Sequence, residues 1–300
     1  MTTRVFLWRR YIPLAGAGML FFQSAQAMDL DALDLIPAPD GTTAIVNYLT
    51  FNTRGSYKPV GSDYVKNDTG LNSIVGTFRY VHYMDIGGYT VAPQILLPFG
   101  GLYDGKLAGA KLKSTSGLSD PIVALPVWLV NNKDAGTTFA LVPYLYIPFG
   151  NYDAGETLNM GENRWKFDFQ VGGTQRIADN VVLQASFDTI WYGDNNDAIS
   201  RGQGTLSQDN SYQAQLWLSY IPPEDKTWNF AVGYAKNWGG TQYQDGVANG
   251  AATRSNQVRL EISKFVQPTL QIQWLVQKET SVDGSYKSDF STTVRLMKLF

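Results

Sequence analysis

Apolar and polar side chains alternate along nearly the whole of this chain, and a period of two is the period of a strand. From Thr269 to Gln277, Leu270, Ile272, Trp274 and Val276 alternate with Gln271, Gln273 and Gln277. From Ser211 to Tyr220, Tyr212, Ala214, Leu216, Leu218 and Tyr220 alternate with Gln213, Gln215 and Ser219. Trp165, Phe167, Phe169 and Val171 do the same against Arg164, Lys166, Asp168 and Gln170. Successive side chains on a strand point to opposite faces, so each stretch has one greasy and one polar face. Helical periodicity is nearly absent. Beyond residue 27 no apolar run reaches the 18 or so residues that a membrane helix needs, which excludes a helical membrane protein.

Alternation fits two architectures. A soluble sandwich turns the greasy face to its core, whereas a barrel in lipid turns it outward and keeps the polar face in the lumen. Three features favour the barrel. First, about twelve strands can be drawn, near 42–53, 71–84, 88–99, 119–130, 136–149, 164–177, 180–192, 210–220, 227–238, 254–266, 268–280 and 288–300. Long Gly-rich connections at 54–70, 100–118, 150–163, 193–209 and 239–253 then alternate with short ones at 85–87, 131–135, 178–179, 221–226 and 267. Short periplasmic turns and long extracellular loops on an even number of antiparallel up-and-down strands are the transmembrane β-barrel pattern. The last loop, 281–287, is shorter than its counterparts. Second, most stretches exceed the ~5–6 residues usual in soluble sheets and approach the 9–11 that cross a bilayer. Third, Val294 to Leu299 alternates and closes on a terminal Phe300. That ending resembles the C-terminal signature by which the barrel assembly machinery reads outer-membrane barrels.

The first residues predict export. Arg4, Arg9 and Arg10 precede an apolar stretch from Tyr11 to Phe22, and Ala25-Gln26-Ala27 is a small-x-small cleavage pattern. That stretch is short for an anchor and is interrupted by Pro13. Residues 1–27 are therefore read as a cleaved signal peptide, and 42–300 as the barrel. Residues 28–41, with Ile36-Pro37-Ala38-Pro39, form either a disordered periplasmic leader, the preferred reading because untethered termini are loose, or a small plug placing Leu30, Leu33, Leu35 and Ile36 in the barrel mouth. After cleavage the charge is −5, which offers no basic cluster for nucleic acid. Only 17% of residues are charged, against ~25% in ordinary soluble domains.

Little in the chain suggests catalysis. There is no cysteine and a single histidine, His82, which would fall near the periplasmic rim with no nucleophile turn nearby. No cofactor and no transition-metal site is expected. Asp194-Asn195-Asn196-Asp197 lacks the spacing of a calcium loop and reads as a solvated turn, and Gly202-Gln203-Gly204 lacks the context of a phosphate loop. The alternation points Arg79, Arg164, Lys166, Asp168, Asp188, Arg259, Glu261 and Arg295 inward, with Tyr144, Tyr146 and Trp217. Buried charges must be paired or wet, so these residues either rigidify the barrel as a network or line a path for solute.

Two segments carry more than generic pattern: Gly117-Leu118-Ser119-Asp120-Pro121, and Pro148-Phe149-Gly150-Asn151-Tyr152 followed by Gly161-Glu162-Asn163-Arg164-Trp165. They resemble the motifs of the outer-membrane barrel family named for the meta-pathway of phenol degradation, also called the SphA family. Ser119 stands where that family usually has Gly, and the leader here is more acidic. The resemblance implies no catalytic residue. It implies an outer-membrane channel for passive uptake of a small hydrophobic or aromatic solute. The alternative from another class is a plugged structural barrel acting through its external loops, and the discriminating feature is a continuous path or a lateral gap.

Overall fold

The computed structural model describes residues 29–300, so the export signal expected at 1–27 lies outside the described residues. Twelve strands pair antiparallel in chain order and close on themselves. They are β1 (Thr43–Lys58), β2 (Gly70–His82, continued by Met84–Ile86) and β3 (Tyr89–Val91 and Gln94–Leu107). β4 is built from Thr115–Leu118, Ile122–Ala124 and Val127–Asn132. β5 (Thr137–Tyr146), β6 (Lys166–Ala178), β7 (Val181–Tyr192) and β8 (Ser211–Tyr220) follow. β9 (Trp228–Gly239), β10 (Arg254–Gln267), β11 (Leu270–Asp283) and β12 (Ser285–Leu299) complete the ring. Closure sets β12 against β1, with Ala44 opposite Leu299 and Tyr48 opposite Arg295.

Burial is inverted relative to a soluble protein. Leu260, Trp274, Trp165, Leu216, Leu218, Phe167 and Ile272 are exposed on the outside, with Phe169 and Val276 partly covered by neighbours. Asp168, Gln170, Asp188, Gln213 and Glu261 are buried within. Only a lipid solvent makes such an exterior favourable. Phe187, Tyr212 and Trp238 stack at the loop end with ring centroids 5.8–6.3 Å apart, and Lys264 lies over Trp228 at the turn end. These are the aromatic bands expected at the two interfaces.

The structure redraws several expected boundaries. β1 runs on to Lys58 and β3 to Leu107, so the connections expected at 54–70 and 100–118 are shorter, and polar strand ends pair with each other. The strands expected over 88–99 and 119–130 are interrupted at Ala92-Pro93 and Leu125-Pro126, because proline has no N–H to give to the ladder. No loop spans 281–287. Beyond the Gln277–Ser291 pair, β11 follows β10 up to Asp283 while β12 follows β1 from Ser285. Only Gly284 separates them, at φ +88°, where a side chain would strike the Ala252 backbone.

Of the two readings of the leader, the disordered one does not describe it. Leu30, Ala32 and Leu35 are buried inside the barrel, Leu33 is partly covered, and Ile36 is exposed where the chain leaves for β1. A loose tail was expected because the segment is Pro-rich and terminal; what ties it down is charge.

Candidate functional site

Three acids of the leader meet arginines of the wall. Asp29 pairs with Arg259 of β10. Arg295 of β12 reaches Asp31 at 2.8 Å and Asp34 at 2.9 Å, and Arg79 of β2 reaches the other oxygen of Asp34 at 3.3 Å. Backbone groups are satisfied as well. Ala32 N–H donates to Glu261 at 2.9 Å and Leu35 N–H to Gln184 at 3.2 Å. The indoles of Trp217 and Trp128 donate to the carbonyls of Leu30 and Leu35 at 2.9 and 2.8 Å. An irregular segment within a barrel must find such partners, since each unsatisfied backbone group in a dry interior costs ~1–3 kcal/mol. The leader thus bonds to strands all round the barrel, among them β2, β4, β7, β10 and β12.

Toward the loop end the lumen opens into a cavity of about 300 Å³, bordered by Arg54, Tyr146, Lys166, Gln257 and Glu279. Glu279 spans the split between β11 and β12 by accepting from Ser288 N–H. Over this vestibule the motif residues converge. Asp120 accepts from Gly150 N–H at 3.0 Å and from Glu162 N–H at 2.8 Å. Gly150 and Gly161 touch so closely that a side chain on either would overlap the other's backbone, which is why that pair is glycine. Ser119, in place of the family's usual Gly, adds a bond from its hydroxyl to Met160 O at 2.7 Å. Asn163, at φ +54°, donates to Asn195 and Asp197, and Tyr152 donates to Asp197 O. Gly117 leaves room for the Asn151 amide, Ile147 N–H donates to Pro121 O, and Pro148 follows at the strand exit. Trp165 points outward to lipid.

Glu162, which sequence reasoning did not single out, is the hub of this cluster. It binds Arg164 at 2.7 Å and also Lys166. Arg164 lies over the Tyr192 ring at 4.8 Å and Lys166 over Tyr146 at 4.4 Å. The eight inward residues are therefore not one constriction. Arg79, Arg259, Glu261 and Arg295 contact the leader, Arg164 and Lys166 belong to the vestibule, and Asp168 and Asp188 sit between. His82 bonds Thr43 at 2.9 Å at the turn-end rim. Within 194–197 the side chains of Asn195 and Asp197 anchor turns by accepting from Asp197 N–H and Gly202 N–H, and no group of metal-ligating side chains occurs among the described residues.

The wall itself is uneven. Five prolines in β3, β4 and β5 each accept a ladder bond that they cannot return: His82 to Pro93, Ala92 to Pro126, Leu125 to Pro143, Ser119 to Pro98 and Ile147 to Pro121. Such pairs normally exchange two bonds and here keep one. Outside this weakened stretch lies an apolar notch lined by Tyr80, Ile95, Val123, Leu125, Leu145 and Phe167, with Gln94, Ala124 and Tyr144 at its floor.

Comparison with known proteins agrees with this geometry. The family described as "Putative MetA-pathway of phenol degradation" matches residues 54–296. The crystal structure of the COG4313 outer membrane channel from Pseudomonas putida F1 superposes with a TM-score of 0.85 at 32% identity, covering 91% of this chain and 100% of that one. The β domain of the Bordetella autotransporter BrkA shares the barrel fold alone, with a TM-score of 0.50 at 9% identity over 86% of this chain and 98% of that one. No curated protein matches the sequence.

Proposed function

The chain belongs to this phenol-degradation family of outer-membrane barrels, and from that premise we propose that it is a channel for passive uptake of small hydrophobic or aromatic compounds that feed aromatic degradation. Export with cleavage after Ala27, and assembly through the exposed Phe300, are part of the same reading. The observation that carries it is the pairing of a leader lodged in the lumen with a proline-weakened wall. Solute enters the vestibule beside Lys166 and Tyr146, meets the leader, and leaves sideways through the proline-interrupted strands into the notch. An apolar molecule prefers lipid to the charged leader column, so the lateral exit selects for it. Arg79, Arg259, Glu261 and Arg295 act by holding the leader, and Arg164 with Lys166 shapes the entrance.

The test is to stitch the wall. Val123 and Leu145 are direct partners across β4 and β5 and border the notch. The chain has no cysteine, so a Val123→Cys/Leu145→Cys pair forms one defined disulfide, its Cα separation lying within the range a cross-strand pair offers. Oxidation is expected to stop aromatic uptake into liposomes and reduction to restore it. Uptake indifferent to the crosslink removes the lateral route. The filled lumen also favours a second reading, a plugged barrel serving through its loops, and absence of uptake in either redox state supports it.

A further inference from the structure

Six charged side chains line the vestibule at the loop end, and four of them are already engaged. Lys166 and Glu162 hold each other, Arg254 pairs with Asp283 at 3.2 Å, and Asp120 accepts from two backbone N–H groups. The other two are Arg54 of β1 and Glu279 of β11. Arg54 has one side-chain hydrogen bond, from Nη1 to the Ser73 hydroxyl at 3.3 Å, and Glu279 accepts from Ser288 N–H with Ser255 beside it. Among the described residues neither has an opposite charge within ion-pair distance. They are neighbours all the same. Arg54 stands opposite Ser288 across the β1–β12 ladder, and Ser288 is the residue whose N–H Glu279 takes. A guanidinium and a carboxylate therefore flank one backbone position, further apart than an ion pair, and both border the same cavity.

The rest of that cavity offers an apolar surface. Leu71, Val75, Pro98, Leu102 and Ile122 line it, and its volume of about 300 Å³ is roughly twice that of an apolar cavity in which benzene lodges. Charge then decides what fills it. A bare hydrocarbon takes water from both charges and returns no hydrogen bond. A carboxylate satisfies Arg54 but meets Glu279 as a like charge, and an ammonium does the reverse. A neutral hydroxyl is donor and acceptor at once: its oxygen accepts from Arg54 and its O–H donates to Glu279. A neutral molecule can also go on into lipid, which an ion cannot do without shedding its charge.

We propose that Arg54 and Glu279 form a selection site for a neutral, hydroxyl-bearing solute whose apolar body is about the size of one ring. As a step in uptake this rests on the channel reading above; occupancy of the site does not. The test is to grow crystals of the barrel at about pH 8, where benzoates are ionised, with para-bromobenzyl alcohol, para-bromotoluene or para-bromobenzoate, and to locate bromine by its anomalous signal. In the wild type a vestibule peak is expected with the alcohol and with neither of the other two. Arg54→Met is expected to lose that peak. Glu279→Gln removes the negative charge but keeps an acceptor for Ser288 N–H, and is expected to retain the alcohol and to admit the benzoate. Heat-modifiable gel migration shows that each variant is folded, and the three-probe comparison in the wild type decides the matter even where a variant is not. An empty vestibule with the alcohol, an equal peak with bromotoluene, bromobenzoate bound in the wild type, or the alcohol retained in Arg54→Met each overturns the proposal. Occupancy by the alcohol with no uptake into liposomes overturns the channel reading and leaves the site standing; uptake with an empty vestibule does the opposite.

Discussion

Arg295→Met is the sharpest single perturbation of the leader. Arg295 holds Asp31 and Asp34 through one nitrogen and Gln271 through another; Arg295 and Asp31 are buried, and Asp34 and Gln271 are partly so. Methionine keeps most of the volume and removes the charge, leaving two carboxylates that share only Arg79. Removing one partner of a buried ion pair costs about 3–5 kcal/mol, mostly as the uncompensated charge left behind. That energy falls on docking of the leader, because β12 stays anchored to β1 and β11 along its length. Hydrogen exchange at Ala32 and Leu35, whose amides bond Glu261 and Gln184, is therefore expected to rise by about two to four powers of ten, at about 1.4 kcal/mol per tenfold. Adding Asp31→Asn and Asp34→Asn removes the stranded charges and is expected to recover most of the protection, since replacing a whole buried ion cluster with neutral groups is often close to neutral. Arg295→Ala should likewise change flux without loss of assembly. Unchanged exchange in Arg295→Met, or no recovery in the triple variant, would refute the account of the leader as a charge-seated plug.

Three further outcomes are expected. Ile272→Arg on the lipid face should destabilise the barrel by ~2–4 kcal/mol in denaturant titrations if the site is near the midplane, and an unaffected midpoint counts against that face being in lipid. Epitope tags after Gly155 or Gly246 should be reached by antibody on intact cells and a tag at Asn132 should not; the reverse pattern inverts the topology. Burial pushes the Glu162 carboxyl up, but Lys166 and Arg164 outweigh it and bring its pKa down to about 2, from an ordinary 4.5. Because the folded value is the lower one, this stabilisation is complete above pH ~4.5 and is lost as pH falls toward 2. The melting-point gap between wild type and Glu162→Gln should shrink over that window, and a gap constant with pH rejects the ion cluster as its cause.

The fold was legible because the bilayer makes the strictest demand on sequence. A wall one residue thick must be greasy on one side and polar on the other at every strand; Trp165 to Val171 meet that demand without exception, and Leu270 to Val276 with the single inward apolar residue Leu275. Boundaries were less legible where the demand ceases. Residues 54–58 and 100–107 pair above the membrane, where either face can be polar, so no alternation marks them. The breaks at Pro93 and Pro126 were visible as prolines, yet only their convergence on three adjacent strands gives them meaning, and adjacency belongs to register rather than to any one segment.

The leader shows the same limit from the other side. Its composition, Pro-rich and terminal, argues for disorder, and its apolar residues are too few to bury a core of their own. Asp29, Asp31 and Asp34 nevertheless find Arg259, Arg295 and Arg79, which are remote from them in sequence. Each wall arginine would stand alone in the lumen without the leader, and each leader acid would stand alone in the periplasm without the wall. Neither half of the cluster is a signal by itself, and a solvated acid run is the ordinary reading of the leader. The excess of inward arginines was the trace available: a barrel interior carrying Arg79, Arg259 and Arg295 needs anions from somewhere, Glu261 accepts from the Ala32 N–H of the leader and Asp188 from the Gln170 amide, and neither forms an ion pair with these arginines. Charge balance taken over a closed lumen, rather than over one strand, is what assigns the leader to the inside.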